Sequence, residues 1–316
     1  MFAGTPMASW LIFVVTVIVA TLVDRLLVGR ADRGELHRAV VRSVLWVLVG
    51  LGFSALVYLL KKDTTTAVDY VVAYLVEKLL SLDNLFVFLV IFRYFGLEPR
   101  HQDRVLFFGV AGAMIMRAVF VVAGAAALHH FHWMIYVFGA FLVFTGIKMA
   151  RSNEAEIDPS QNLALRVARR FLPVTNELDG VHFFTQREGR RYVTPLFLVL
   201  LVIEFSDVLF AVDSVPAVLA VTDDLFVVYT SNVFAILGLR ALYFVLADAM
   251  GRFAYLSVAL SVILVFIGTK MLVSDYFDLP NAVSLTVILI TLSTAIAASL
   301  YKTTGTPGSP SQSPPG

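Results

Sequence analysis

Apolar residues fall into nine long runs along this chain, at about 9–28, 43–60, 68–92, 105–128, 132–150, 194–220, 225–247, 253–273 and 281–301. Each comes close to or exceeds the roughly 20 residues a helix needs to cross a hydrocarbon core. The pattern predicts an all-α polytopic membrane protein of about nine transmembrane helices. Composition agrees: of 316 residues, 59% are hydrophobic and only 15% charged, where soluble domains have about 45–50% and 25%. Mean hydropathy is +0.84.

The basic residues give the orientation. Arg25, Arg30 and Arg33 follow the first run instead of preceding it, so it does not read as a cleavable signal peptide. With nine crossings, seventeen Lys and Arg residues fall in loops on one side, and only Lys61 and Lys62 on the other. The positive-inside rule places the seventeen in the cytoplasm, with the N-terminus outside and the C-terminus inside. The net charge of +1 therefore reports topology and gives no sign of a nucleic-acid partner. The partner it implies is the lipid bilayer. There is no cysteine, which excludes disulfides, thiolate metal sites and thiol redox chemistry in this chain.

Two stretches repeat one another. "SLDNLFVFLVIF" (Ser81–Phe92) matches "FAVDSVPAVLAV" (Phe210–Val221), which pairs Asp83-Asn84 with Asp213-Ser214 and Glu77 with Asp207. "MIMRAVF" with Arg117 matches "LGLRALYF" with Arg240, and "VFTGIKMA" with Lys148 matches "VFIGTKML" with Lys270. Each copy holds three runs, so the second enters the membrane from the opposite side and the repeats are inverted. This is a common plan of secondary transporters, whose site lies near the midplane between the halves. The resulting division is an N-terminal two-helix region (1–62), a first three-helix repeat (63–150), a cytoplasmic loop (151–193), a second repeat (194–275), a C-terminal helix (276–302) and a disordered Pro/Gly/Ser tail (303–316). In the loop, "LALRVARRFL" reads as an amphipathic helix on the anionic leaflet. "VHFFTQREGRRYV" reads as a β-hairpin.

Charge inside the membrane is costly, about 2.5–3.5 kcal/mol per residue at a helix centre. Yet Glu77, Asp83, Glu204, Asp207 and Asp213 all lie within apolar runs, as do Lys78, Arg117, Lys148, Arg240 and Lys270. Residues six apart on a regular helix point about 120° from one another. Glu77 and Asp83, or Asp207 and Asp213, would then not share a face. Pro216 lacks an amide for the carbonyl of Val212, so a local break near "DSVP" is expected to free that carbonyl and re-aim Asp213.

The candidate metal site is Glu77, Asp83, Asn84, Asp207, Asp213 and Ser214, with Ser81 beside it. These all-oxygen donors suit Mg²⁺, Ca²⁺ or Mn²⁺, whereas Zn²⁺ or Cu⁺ would call for His or Cys. The competing reading makes the acids interhelical ion pairs with the membrane cations. Arg117 and Arg240 are expected to hold the site closed or tune its charge, and Lys148 and Lys270 to reach opposite interfaces. Lys78 is expected to pair away from Glu77. "HHFH" (His129, His130, His132) reads as a polar loop cap or a loose metal capture site.

"EKLLSLDNLFVF", the long segment from "RFLPVTNELDG" to "AVDSVPAVLAVT", and "LVFIGTKML" resemble the TerC/Alx family of bacterial integral membrane proteins, over about residues 65–275. The resemblance implies a place in the LysE-like transporter group, a bacterial inner-membrane location, and a link to tellurium resistance and manganese export. It also implies that the four acids Glu77, Asp83, Asp207 and Asp213 are the family's metal site. The expected function is export of a divalent metal ion, manganese by that resemblance, as substrate and not cofactor, with no enzymatic step. The alternative is a membrane scaffold of a stress-resistance complex, with structural ion pairs and the 151–193 loop docking membrane-associated protein partners.

Overall fold

A computed structural model describes residues 5–28, 35–131, 133–151, 170–175, 177–187, 189–248, 255–277 and 279–304. Its elements are α1 (Met7–Val28), α2 (Glu35–Lys61), α3 (Thr64–Tyr94), α4 (Pro99–His130), α5 (Met134–Arg151), a hairpin of β1 (Phe184–Arg187) and β2 (Arg190–Val193), α6 (Pro195–Leu219), α7 (Leu225–Leu237), α8 (Leu239–Asp248), α9 (Leu256–Leu272) and α10 (Asn281–Thr304).

Local chemistry sets the helix ends. Asp63 caps α3, its carboxylate accepting from the amides of Thr65 (3.2 Å) and Thr66 (2.8 Å). Asp224 caps α7 in the same way, accepting from Phe226 (2.9 Å) and Val227 (3.4 Å). Pro99 and Pro195 open α4 and α6, where a missing amide costs nothing. Gly96, at φ +60°, turns the chain after α3. The hairpin pairs Phe184 with Val193 and Arg187 with Arg190 in antiparallel register, and Gly189, at φ +75°, makes its tight turn.

Seven of the described helical segments are long and apolar enough to cross a membrane: α1, α2, α4, α5, α6, α10, and α7 with α8 taken together (Leu225–Ala247). Two of the nine expected runs do not meet both criteria. At 31 residues α3 has ample length, but it carries Asp69, Glu77, Lys78, Asp83 and Arg93. At 17 residues α9 is apolar but short. The expected run 225–247 is interrupted at Gly238, where α7 gives way to α8. The expected amphipathic helix at 163–172 lies almost wholly outside the described residues, and most of the tail does too.

Helices packed among lipid-like surfaces gain little from the hydrophobic effect, so close van der Waals fit must hold them. The tightest seam joins α5 to α9. A Cβ on Gly268 would come within 2.7 Å of the Gly139 carbonyl oxygen, and one on Gly146 within 2.9 Å of the Ser261 carbonyl oxygen. Backbones touch there because side chains are missing. Elsewhere α4 packs on α6, and α3 lies between α2, α6 and α7. An aromatic cluster fastens α1 and α2 to α7, with Phe53 4.7 Å from Phe234 and Trp10 5.1 Å from Phe226 between ring centroids.

Candidate functional site

The buried charges collect where α3, α4 and α6 meet. Arg117 of α4 is 1% exposed, Glu77 of α3 is 0% and Asp207 of α6 is 4%. Nη1 of Arg117 donates to Oε1 of Glu77 and to Oγ of Ser214 (2.8 Å), while Nη2 lies 3.6 Å from Oδ1 of Asp207. The amide of Asn84 donates to that same Asp207 oxygen at 3.4 Å, and Ser81 donates to Glu77 at 3.5 Å. One arginine therefore spans the two acids that the repeat pairs with each other.

The cluster is not internally satisfied. Oε2 of Glu77, Oδ2 of Asp207, Oδ1 of Asn84 and Nε of Arg117 are buried and have no hydrogen-bond partner among the described residues. Buried polar atoms in native proteins are nearly always paired, so three orphaned oxygens in one cluster make it the candidate binding site. A cavity of about 50 Å³ opens beside them, lined by Asn84, Arg117, Phe210 and Ser214 among others. The hard oxygen donors fit Mg²⁺, Ca²⁺ or Mn²⁺. Among the described residues, no three His, Asp or Glu side chains form a ready metal cage.

Of the sequence-predicted site residues, the structure brings together Glu77, Asn84, Asp207 and Ser214. Asp83 and Asp213 lie on α3 and α6, six residues beyond Glu77 and Asp207, or about 9 Å along each axis. Their side chains lie outside the described residues. The expected break near "DSVP" does not form: α6 runs unbroken from Pro195 through Pro216 to Leu219. Pro216 falls in its last turn, where the helix is about to end in any case.

Arg240 does not join the acids. It binds Asp103 near the start of α4, Nε to Oδ1 at 2.6 Å and Nη2 to Oδ2 at 2.5 Å. This corrects the expectation that Arg117 and Arg240 act as a matched pair on the site, because the repeat equivalence in sequence does not carry over to their partners. Lys78 does turn away from Glu77, donating to the Ala235 carbonyl at 3.0 Å beside Gly238. Lys148 and Lys270 lie near the C-terminal ends of α5 and α9. These helices run antiparallel, since Gly139 faces Gly268 and Leu272 while Gly146 faces Ser261 and Val265, so the two lysines sit at opposite ends of the seam. Glu204 is half-buried, its carboxylate set against Gly112 of α4. The rings of His129 and His130 stand edge to face, 5.4 Å apart, on exposed residues, and His132 lies outside the described residues.

Sequence reasoning missed three features. Asp103 sits in the charged opening of α4, "EPRHQDR", where nothing in the sequence distinguishes it from its neighbours. Asn232 is buried with both side-chain polar atoms unpartnered among the described residues, and its signal was there to see: it is the one amide in "LFVVYTSNVFAIL". A polar knot joins α3, α9 and α10, in which Asn281 donates to Asp69 (2.7 Å) and to the Val221 carbonyl (2.8 Å), and Lys270 donates to Asn281.

Comparison with known proteins finds a match to the model of the integral membrane protein TerC family over residues 62–306. An uncharacterized membrane protein of Myxococcus xanthus, STKORF319, is 46% identical over 292 residues, covering 90% of this chain and 91% of that one. A protein named putative membrane-bound redox modulator Alx, from Escherichia coli K12, is 45% identical over 294 residues, covering 90% and 91%. The protein of that name from Photorhabdus laumondii is 40% identical over 314 residues, covering 95% and 98%. No solved structure matches the chain.

Proposed function

The chain belongs to the integral membrane protein TerC family, and from that membership together with its buried acids we propose that it exports a divalent metal ion, manganese foremost, from the bacterial cytoplasm. The observation that carries the reading is the trio of orphaned oxygens on Glu77, Asp207 and Asn84, buried where equivalent segments of the two repeats meet. Asp83 and Asp213 complete the ligand set. Oxygen donors alone favour hard cations, and manganese among them follows from the family resemblance.

The transport mechanism is alternating access between two inverted three-helix halves, α3–α5 and α6–α9, with nine membrane crossings in all. Helix packing supports this. Exchanging the halves maps the contact of α4 with α6 onto that of α3 with α7, and maps the pairs α3–α6 and α5–α9 onto themselves. The loop charge bias supports an outside N-terminus and a cytoplasmic 151–193 segment. Because this chain has no cysteine, the redox effect named in its relatives, and tellurium resistance too, would follow from metal balance instead of thiol chemistry.

Purified protein in liposomes, with a manganese-sensitive dye on the far side, tests the reading. Wild type should carry Mn²⁺, and Asp83→Asn or Asp213→Asn should each abolish flux while the protein still folds. If the acids are only structural, protein yield and thermal stability should fall instead. Wild-type rates in both single Asn variants would remove Asp83 and Asp213 from the site. Labelling of a Ser160→Cys variant by an external thiol reagent in cells would overturn the orientation.

A further inference from the structure

Arg117 places its positive charge where a transported cation would need to be. Its guanidinium touches Glu77, Asp207 and Ser214 together, and these donors overlap the orphaned set. Two carboxylates with one guanidinium leave a net charge of −1 in a pocket closed to solvent. A dication seated on both carboxylates would then lie within ion-pair distance of the guanidinium, and like charges this close in a low-dielectric interior repel strongly. The acids can hold the metal or the arginine, but not both.

Resting on the metal-transport reading, we infer that Arg117 is a tethered stand-in for the substrate: it occupies the acid pair when no metal is bound and withdraws when one arrives. Two further observations carry this. Nε of Arg117 is buried without a partner among the described residues, and the contacts that hold the head group there run through its two Nη groups. The cavity beside it, about 50 Å³ and lined in part by Arg117 itself, exceeds the roughly 10–15 Å³ of probe volume that a water needs, so the head group borders space into which it can begin to shift. The consequence is obligatory compensation. An emptied site would expose two bare carboxylates to the membrane interior during its return, and Arg117 covers them. The device makes the unloaded return possible, and it weakens metal binding by competing for the same oxygens.

The test compares wild type, Arg117→Lys and Arg117→Gln as full chains. It uses calorimetric titration with Mn²⁺ in detergent, and liposomes in which net Mn²⁺ efflux and Mn²⁺–Mn²⁺ exchange are read separately. Removing the competitor should tighten Mn²⁺ binding at least tenfold in Arg117→Gln. It should also raise the ratio of exchange to net efflux at least tenfold, because only net efflux requires the empty return. Arg117→Lys keeps the charge but cannot span both acids, and should fall between. A purely structural arginine would lower exchange and net flux together and would not tighten binding, and that result overturns the inference. Should Arg117→Gln fail to fold, Arg117→Lys decides, with unchanged affinity and an unchanged ratio counting against. If wild type itself binds no Mn²⁺, the transport reading falls first and this inference falls with it. Binding by wild type with no gain in the variants removes the inference alone.

Discussion

The ammonium of Lys78 donates a hydrogen bond to the carbonyl of Ala235, at 3.0 Å, just where α7 ends against Gly238. The last carbonyls of a helix lack amide partners and carry its negative pole, so a cation from α3 secures the junction between α7 and α8. Lys78→Met should leave that carbonyl unpaired and cost roughly 1–3 kcal/mol, seen as a lower midpoint in thermal unfolding. Gly238→Ala should act through the same contact, because its Cβ would lie 2.7 Å from Nζ.

The Arg240–Asp103 pair joins α8 to the first turns of α4 by two parallel hydrogen bonds. Both side chains are over a third exposed, so the expected loss on Asp103→Asn is modest, about 0.5–1 kcal/mol. The reversed pair, Asp103→Arg with Arg240→Asp, should recover most of it. Chemical denaturation of the four proteins checks this.

Gly112 leaves the space that the Glu204 carboxylate fills. Gly112→Ala should destabilise the α4–α6 seam by about 1–3 kcal/mol. In the background of Glu204→Ala the same change should be nearly neutral, a coupling of at least about 1 kcal/mol in a double-mutant cycle. Additive effects would show that the two residues do not meet.

Replacing glycines separates the crowded seam from open helix. Gly268→Val should lower stability by about 1–3 kcal/mol or more, because the Gly139 carbonyl already stands 2.7 Å from any Cβ. Gly52→Ala in α2 meets nothing within 4 Å and should stabilise by about 0.5–1 kcal/mol. Thermal unfolding of both variants reads the contrast.

A pH effect is expected in the segment that carries the hairpin. The Arg187 guanidinium, hydrogen-bonded to Glu177 at 2.6 Å, holds that carboxyl below the usual range. A lowered folded value means the brace contributes fully above the ordinary glutamate pKa and is lost as pH falls through the lowered one. Hydrogen exchange at the β1–β2 amides, corrected for intrinsic rates, should therefore quicken only on the acid side of the ordinary value, and Arg187→Ala should remove that dependence.

Much of this was legible from residues alone. Periodic apolar runs located the helices because a membrane span must satisfy its own backbone, and "REGRR" located the hairpin turn because Gly189 alone there adopts positive φ easily. The pairing of Glu77 with Asp207 came from the repeat, and both meet on Arg117. Partner choice was not legible. Arg117 and Arg240 share a motif but differ in which neighbour reaches them, which depends on α4 lying across the bundle. The smooth course of α6 through Pro216 was also hidden, since a proline's effect depends on how much helix follows it, and here only three residues do.

The glycine seam between α5 and α9 also limits how this molecule can move. Where backbone rests on backbone with no side chain between, neither partner can slide a turn along the other without collision, and neither can part without opening a void. Any rearrangement that alternately uncovers the acids must therefore leave this line fixed and swing about it. On the transport reading the seam is an axle: displacements should be near zero at Gly139, Gly146 and Gly268 and should grow with distance from them.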